Sequence, residues 1–268
     1  MLVSNFEIQK EEFVKFLELL NENKLLKHIV IAGSWAEYIY SNGGLLKGFD
    51  PNLKTLDADF LIKNQRHPNP PANIVKIAKD AGYVVSFDIL YETTKIFTPS
   101  QFEIEFLINQ MGSGTNCVLD TNLGVKAQAL RHMDISLRNT ISIDFCGMEI
   151  SVPLPEAYVI HKMVINEDRK LDKQAKDVNS IFQLAAFLDK DVYDDIYASL
   201  FKKEKIKVDK FLLKYGDIFD IDNVERLLAM NTSIANESVS EIVANAVSKC
   251  EEVNKHCSYK NNADFVKE

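Results

Sequence analysis

Ile29-Val30-Ile31-Ala32-Gly33-Ser34-Trp35 and Thr55-Leu56-Asp57-Ala58-Asp59-Phe60-Leu61-Ile62 are the two stretches whose reading decides the fold. The first is an unbroken apolar run that ends at Gly-Ser. It predicts a buried strand that breaks into a helix beginning with Trp35-Ala36-Glu37-Tyr38. The second predicts a strand with two carboxylates, Asp57 and Asp59. Strand side chains alternate faces, so these two point the same way and Leu56, Ala58 and Phe60 point toward a core.

Two carboxylates on one strand face repel each other unless they are solvated or bridged by a cation. The pair therefore points to a two-metal phosphoryl- or nucleotidyl-transfer geometry. Gly33 permits backbone conformations that a side chain obstructs. Ser34 falls where a helix begins, and helix N-termini favour anions such as phosphate. Taken alone, Ser34 reads as an ordinary helix cap. With the Asp pair downstream, the phosphate reading takes over.

Gly33-Ser34 after an apolar strand, followed by Asp57-x-Asp59 on a second strand, resembles the nucleotidyltransferase superfamily of the DNA polymerase beta type. The resemblance covers roughly the first two thirds of the chain. It implies that the Gly-Ser turn cradles a nucleoside triphosphate substrate. It also implies that the Asp pair and a third carboxylate hold two Mg2+ ions. Ser34 and Asp57 are further apart than is usual in that superfamily. The extra residues, 41–54, contain Asn42-Gly43-Gly44, Gly48 and Pro51 and read as a loop added after the helix.

The third acid is sought on another alternating strand. Phe102, Ile104 and Phe106 face one way and Glu103 and Glu105 the other, and Glu105-Phe-Leu-Ile repeats the local form Asp59-Phe-Leu-Ile. Glu105 is the first candidate, Glu103 the second and Asp144, on a strand over 140–145, the third. The competing reading makes these glutamates an ordinary solvated strand face.

Around these pieces the periodicity predicts a helix over 6–23, with Phe13, Phe16, Leu17 and Leu20 on one side. A proline-rich loop over 64–72 leads into a helix over 73–81, ended by Gly82. Strands follow over 83–89 and 93–99, and a loop over 111–121. Residues 130–136 are expected to bring Arg131 and His132 near the acids. Residues 140–145 and 148–152 read as a hairpin around Cys146-Gly147. A helix starts at Pro153-Leu154-Pro155-Glu156, where proline and an acid suit a first turn.

Further helices are expected over 171–188, 192–200, 208–215, 221–230 and 239–253. The run Pro155-Glu156-Ala157-Tyr158-Val159-Ile160-His161-Lys162, then Arg169, then Lys176-Asp177, is similar to the helices that follow the catalytic strands in bacterial nucleotidyltransferases of the toxin–antitoxin kind. By that resemblance Lys162 is a phosphate contact, with Lys176 and Asp177 as a supporting pair. The plain alternative is that these lysines line a solvated helix face, and His161 reads as a partly buried structural histidine.

The expected architecture is thus α+β: a mixed-sheet nucleotidyltransferase-like core over 1–152 and a helical C-terminal region over 153–268. With 268 residues, 46% of them hydrophobic, the chain can bury a substantial core. A net charge of −8 argues mildly against a large duplex partner and leaves a nucleotide, a small molecule or a protein open. Cys117, Cys146, Cys250 and Cys257 show no C-x-x-C spacing, so a reducing compartment is the default. No apolar run approaches membrane-span length and no secretory pattern opens the chain, which predicts a cytoplasmic protein.

Three functions are compatible with this reading. The leading one is a Mg2+-dependent nucleotidyltransferase that moves a nucleoside monophosphate from an NTP to an RNA end such as that of tRNA, a protein side chain or a small hydroxyl compound. The second is an inactive binding module on the same fold, an antitoxin or scaffold partner. The third, a metal-dependent phosphohydrolase, fits Gly33-Ser34 less well.

Overall fold

The computed structural model describes residues 5–51, 55, 57–88, 92–112 and 117–216. The chain divides into two compact units, Met1–Tyr158 and Val159–Glu268. The helices expected over 221–230 and 239–253 lie outside the described residues, as does the inward placement expected for Leu56.

The first unit opens with α1 (Asn5–Glu22) and a single 3-10 turn (Leu26–His28). β1 (Ile29–Ala32) then runs into α2 (Gly33–Asn42), and β2 (Asp57–Ile62) follows after the long loop. Next come α3 (Ile74–Asp80), β3 (Val84–Phe87), β4 (Thr94–Phe97), β5 (Glu103–Asn109), β6 (Val118–Asp120) and β7 (Lys126–Leu130). α4 (Met133–Arg138), β8 (Thr140–Phe145), β9 (Met148–Pro153) and the start of α5 (Pro155–Asn166) complete the unit. The expected loop over 111–121 therefore ends in strand β6. The unassigned residues after Gly124 form β7.

β1 to β7 build one mixed sheet in the order β1-β2-β5-β4-β3, with β7 also on β5 and β6 on β7. β2 and β5 are parallel, while β1 pairs antiparallel to β2 and β4 antiparallel to β5. β8 and β9 form a separate antiparallel hairpin, as their alternation around Cys146-Gly147 predicts.

The two faces of the sheet have different fates. On one, Phe60, Ala58, Ile104 and Phe106 are buried beneath the helices. Phe60 meets Phe13 and Phe16 of α1 with ring centroids 6.2 and 5.5 Å away. Trp35 of α2, fully buried, lies 4.2 Å from Phe13 and 5.1 Å from Phe102. Burying rings of this size contributes on the order of 2–3 kcal/mol each, so α1 and α2 are held on the sheet mainly by this cluster. On the other face, Val30, Ala32, Leu61 and Leu107 pack with Met133 of α4. That apolar packing covers only one end. Asp57, Asp59, Glu103 and Glu105, each half-buried, occupy the other.

α2 is tied to the rest of its unit by buried polar groups. The Tyr40 hydroxyl donates to the Pro153 carbonyl at 2.8 Å, and the Tyr158 hydroxyl donates to Glu37 Oε1 at 2.5 Å. Glu37 is 5% exposed, so losing this hydroxyl leaves a buried carboxylate with one donor fewer. Tyr158→Phe is expected to lower stability by about 1–3 kcal/mol, the usual cost of such a loss. A shift of the urea unfolding midpoint checks this; an unchanged midpoint would show that the bond contributes nothing net.

The described part of the second unit is helical: the rest of α5, then α6 (Leu171–Ala185), α7 (Lys190–Ser199) and α8 (Lys202–Tyr215). α6 buries Val178, Ile181, Phe182 and Leu184, and α8 buries Val208, Phe211 and Tyr215. Asp189 caps α7 by accepting from the backbone N–H groups of Asp191 and Val192. Asp177, 1% exposed, is held between Lys162 at 3.0 Å and Arg169 at 2.8 Å. A buried carboxylate of this kind is tolerated only with such partners.

Candidate active site

Strand register brings the acids together. Across β2 and β5, Asp57 stands opposite Glu103 and Asp59 opposite Glu105. Across β1 and β2, Asp59 stands opposite Ala32, the residue before Gly33. Across β4 and β5, Lys95 stands opposite Glu105. One row thus runs Ala32, Asp59, Glu105, Lys95 over four strands, and a second row sets Asp57 beside Glu103. Residues opposite one another on neighbouring strands share a face with their Cβ atoms about 5 Å apart, so these side chains are neighbours.

The Gly-Ser turn closes on this face. Gly33 has φ +61°. A Cβ built there would fall 2.4 Å from Asp59 Oδ2 and 3.3 Å from its Cγ. The Asp59 carboxylate therefore lies against the backbone of the turn in space that any other residue would fill. Ser34 follows in the first turn of α2, half-buried. Two features that are separate in sequence, Gly33-Ser34 and Asp57-x-Asp59, meet because β1 and β2 are antiparallel neighbours.

The glutamates are engaged by a cation within the chain. Lys95 Nζ is 2.5 Å from Glu103 Oε1 and 2.7 Å from Glu105 Oε1. Burial raises the carboxyl of Glu105 above its ordinary value and neighbouring Glu103 adds to that, against the pull of Lys95. Burial alone would lower the Lys95 ammonium, but bonds and charges from both glutamates more than reverse this and leave it raised. The two shifts thus have different causes: burial dominates at Glu105, and the two glutamates dominate at Lys95. Asp57 accepts from the Thr55 hydroxyl.

The donors available, four carboxylates and a hydroxyl, are the hard oxygen ligands that Mg2+ takes. In donor chemistry the face fits such an ion, and the Gly33 turn leaves the Asp59 carboxylate room beside it. As the side chains lie, however, no three acidic, histidine or cysteine groups among the described residues stand close enough to hold a metal ion.

Among the other candidates, Asp144 sits exposed on the β8–β9 hairpin, off the seven-stranded sheet, and accepts from the Gly147 N–H at 3.2 Å. Arg131 and His132, expected near the acids, follow Leu130, which pairs with Asn109 at the opposite end of β5 from Glu103. Parallel pairing of β5 with β7 carries them away. Lys162 and Asp177 are paired with each other inside the second unit, where Lys176 also lies. His161 is buried, as expected. Sequence reading passed over Lys95 and Thr55. Lys95 stands in the strand expected over 93–99, but nothing local says which strand that one pairs with.

The chain belongs to the nucleotidyltransferase family, whose model matches residues 11–202. Among solved structures it is similar to an antigenic nucleotidyltransferase-like protein from Paracoccidioides brasiliensis, at 15% identity and a TM-score of 0.47, over 83% of this chain and 94% of that one. It is also similar to the antibiotic-resistance factor ANT(2'')-Ia, at 12% identity and a TM-score of 0.38, over 77% and 92%. A search of curated proteins finds no match. No helix among the described residues is long and apolar enough to cross a membrane.

Proposed function

We propose that this protein is a metal-dependent enzyme that moves a nucleoside monophosphate from an NTP to an acceptor hydroxyl, releasing pyrophosphate. The observation that carries the reading is the approach of the Asp59 carboxylate to Gly33. It sets an anion-favouring helix start beside a pair of like charges that benefit from a cation. Asp57, Asp59 and Glu105 are the proposed metal ligands, and Gly33 with Ser34 the phosphate contact. Bound Mg2+ would neutralise triphosphate charge and favour in-line displacement. The chain's own contribution is positioning: the turn fixes the triphosphate, and the Asp pair is held rigid on β2. Glu105, with its raised carboxyl, is the proposed proton acceptor for the attacking hydroxyl.

Lys162, Lys176 and Asp177 enter as nucleotide-binding candidates on the resemblance to enzymes of the toxin–antitoxin kind. An RNA end, including that of tRNA, a protein side chain or a small hydroxyl compound are the acceptor classes. We take residues 1–152 as the catalytic core, residues 153–268 as an accessory helical region, and the cytoplasm as the place of action. A second reading, an inactive binding module on this fold, is favoured by one observation: Lys95 already holds Glu103 and Glu105.

Calorimetric titration with ATP, CTP, GTP and UTP, with and without Mg2+, tests the catalytic reading. At least one nucleotide is expected to bind at micromolar to millimolar strength, and more tightly with Mg2+. A folded protein that binds none of the four would end the catalytic reading.

A further inference from the structure

Lys95 is the element of this face that the proposed chemistry does not use. Its Nζ is 2.5 and 2.7 Å from the two glutamates, and all three side chains are only about a quarter exposed, at 24%, 25% and 27%. This is not a solvated surface pair of the kind that contributes little. Register puts Lys95 in the same cross-strand row as Glu105 and Asp59. One ammonium thus serves two carboxylates in a row that also carries Asp59, and it occupies an oxygen of the residue proposed as third metal ligand.

We propose that Lys95 is a built-in counter-cation that competes with divalent metal for Glu105, so that metal loading requires the Lys95 ammonium to leave that carboxylate. The proposal rests on the metal-dependent reading given above. The physical argument has two parts. Without a divalent ion, the neighbouring carboxylates of Glu103 and Glu105 need compensation, and a lysine on the adjacent strand supplies it at hydrogen-bond distance. A lysine also suits a displaceable role. Its charge is a compact point on a flexible four-carbon stem, whereas an arginine fork would grip carboxylates bidentately. Lys95 is therefore a positioning residue that sets how tightly the site takes metal.

The test is Mn2+ binding to the full chain, with free Mn2+ counted by electron paramagnetic resonance, for wild type, Lys95→Met and Lys95→Arg. Circular dichroism and the fluorescence of buried Trp35 report folding. Lys95→Met is expected to bind Mn2+ about tenfold more tightly, because a competing charge is removed from a partly buried site. Lys95→Arg is expected to bind it several-fold more weakly, because the fork holds the glutamates. Placing Lys95→Met in a Glu105→Gln background separates competition at that carboxylate from a general gain in negative charge: the gain is expected to shrink or vanish there.

If wild type binds Mn2+ and Lys95→Met binds it no more tightly, the competition does not exist. An undiminished gain in the Glu105→Gln background also overturns competition at Glu105. Should Lys95→Met fail to fold, Lys95→Arg decides alone, and Mn2+ affinity equal to or above wild type overturns the proposal. If none of the folded proteins binds Mn2+, the metal-dependent function falls and this inference with it.

Discussion

Asp57→Asn combined with Asp59→Asn is expected to leave a folded protein that has lost nucleotidyl transfer, by about 10³-fold or more, the scale on which preorganised charge in an active site acts. Asparagine matches aspartate in shape, so packing around β2 is kept. Asp57 and Asp59 are half-buried beside Glu103 and Glu105. The change keeps shape and removes only charge, so the melting temperature should stay about level. An amide cannot supply the charge that a divalent ion requires, and NTP binding should lose its dependence on Mg2+. Loss of activity without loss of stability is the diagnostic. A purely structural pair would lose stability along with activity. Transfer from labelled NTP, measured beside a thermal melt, checks both, and activity surviving the double change would show that the metal roles assigned to these residues are wrong.

The legible part of this fold was the part written in local periodicity. The alternation of β2 and β5 shows in their sequences, and burial follows it: Ala58, Phe60, Ile104 and Phe106 are inside, and Asp57, Asp59, Glu103 and Glu105 are only partly buried. The break at Gly33 was readable because an apolar run ends there at a residue with no side chain. Partner choice between strands was not readable. Nothing in residues 93–99 says that β4 lies antiparallel to β5 with Lys95 opposite Glu105. Nothing before Arg131 says that β7 runs parallel to the far end of β5. Register is fixed by long-range packing and turn geometry, so an ion pair between strands is invisible until both are placed. The same limit hid the Asp59–Gly33 contact, which sequence reading expected only as a shared site.

That contact supplies the second large expectation. Gly33→Ala should reduce transfer by about 10²-fold, the cost of a displacement of roughly 1 Å at a reacting centre. Two effects act at once. A side chain at φ +61° carries about 1–2 kcal/mol of backbone strain. The new methyl would also sit 2.4 Å from Asp59 Oδ2, closer than atoms allow, so the carboxylate must rotate away. Strain alone lowers stability; rotation alone lowers activity. Gly44→Ala separates them, because Gly44 also has a positive φ, +74°, and a Cβ there meets nothing within 4 Å. It should show a comparable loss of stability in urea with transfer nearly unchanged. Matched stability losses with activity lost only at Gly33 would tie the turn to the carboxylate. If Gly33→Ala transfers nucleotide as fast as Gly44→Ala, then the position of Asp59 does not limit the reaction, and the approach of that carboxylate to the turn is packing without catalytic consequence.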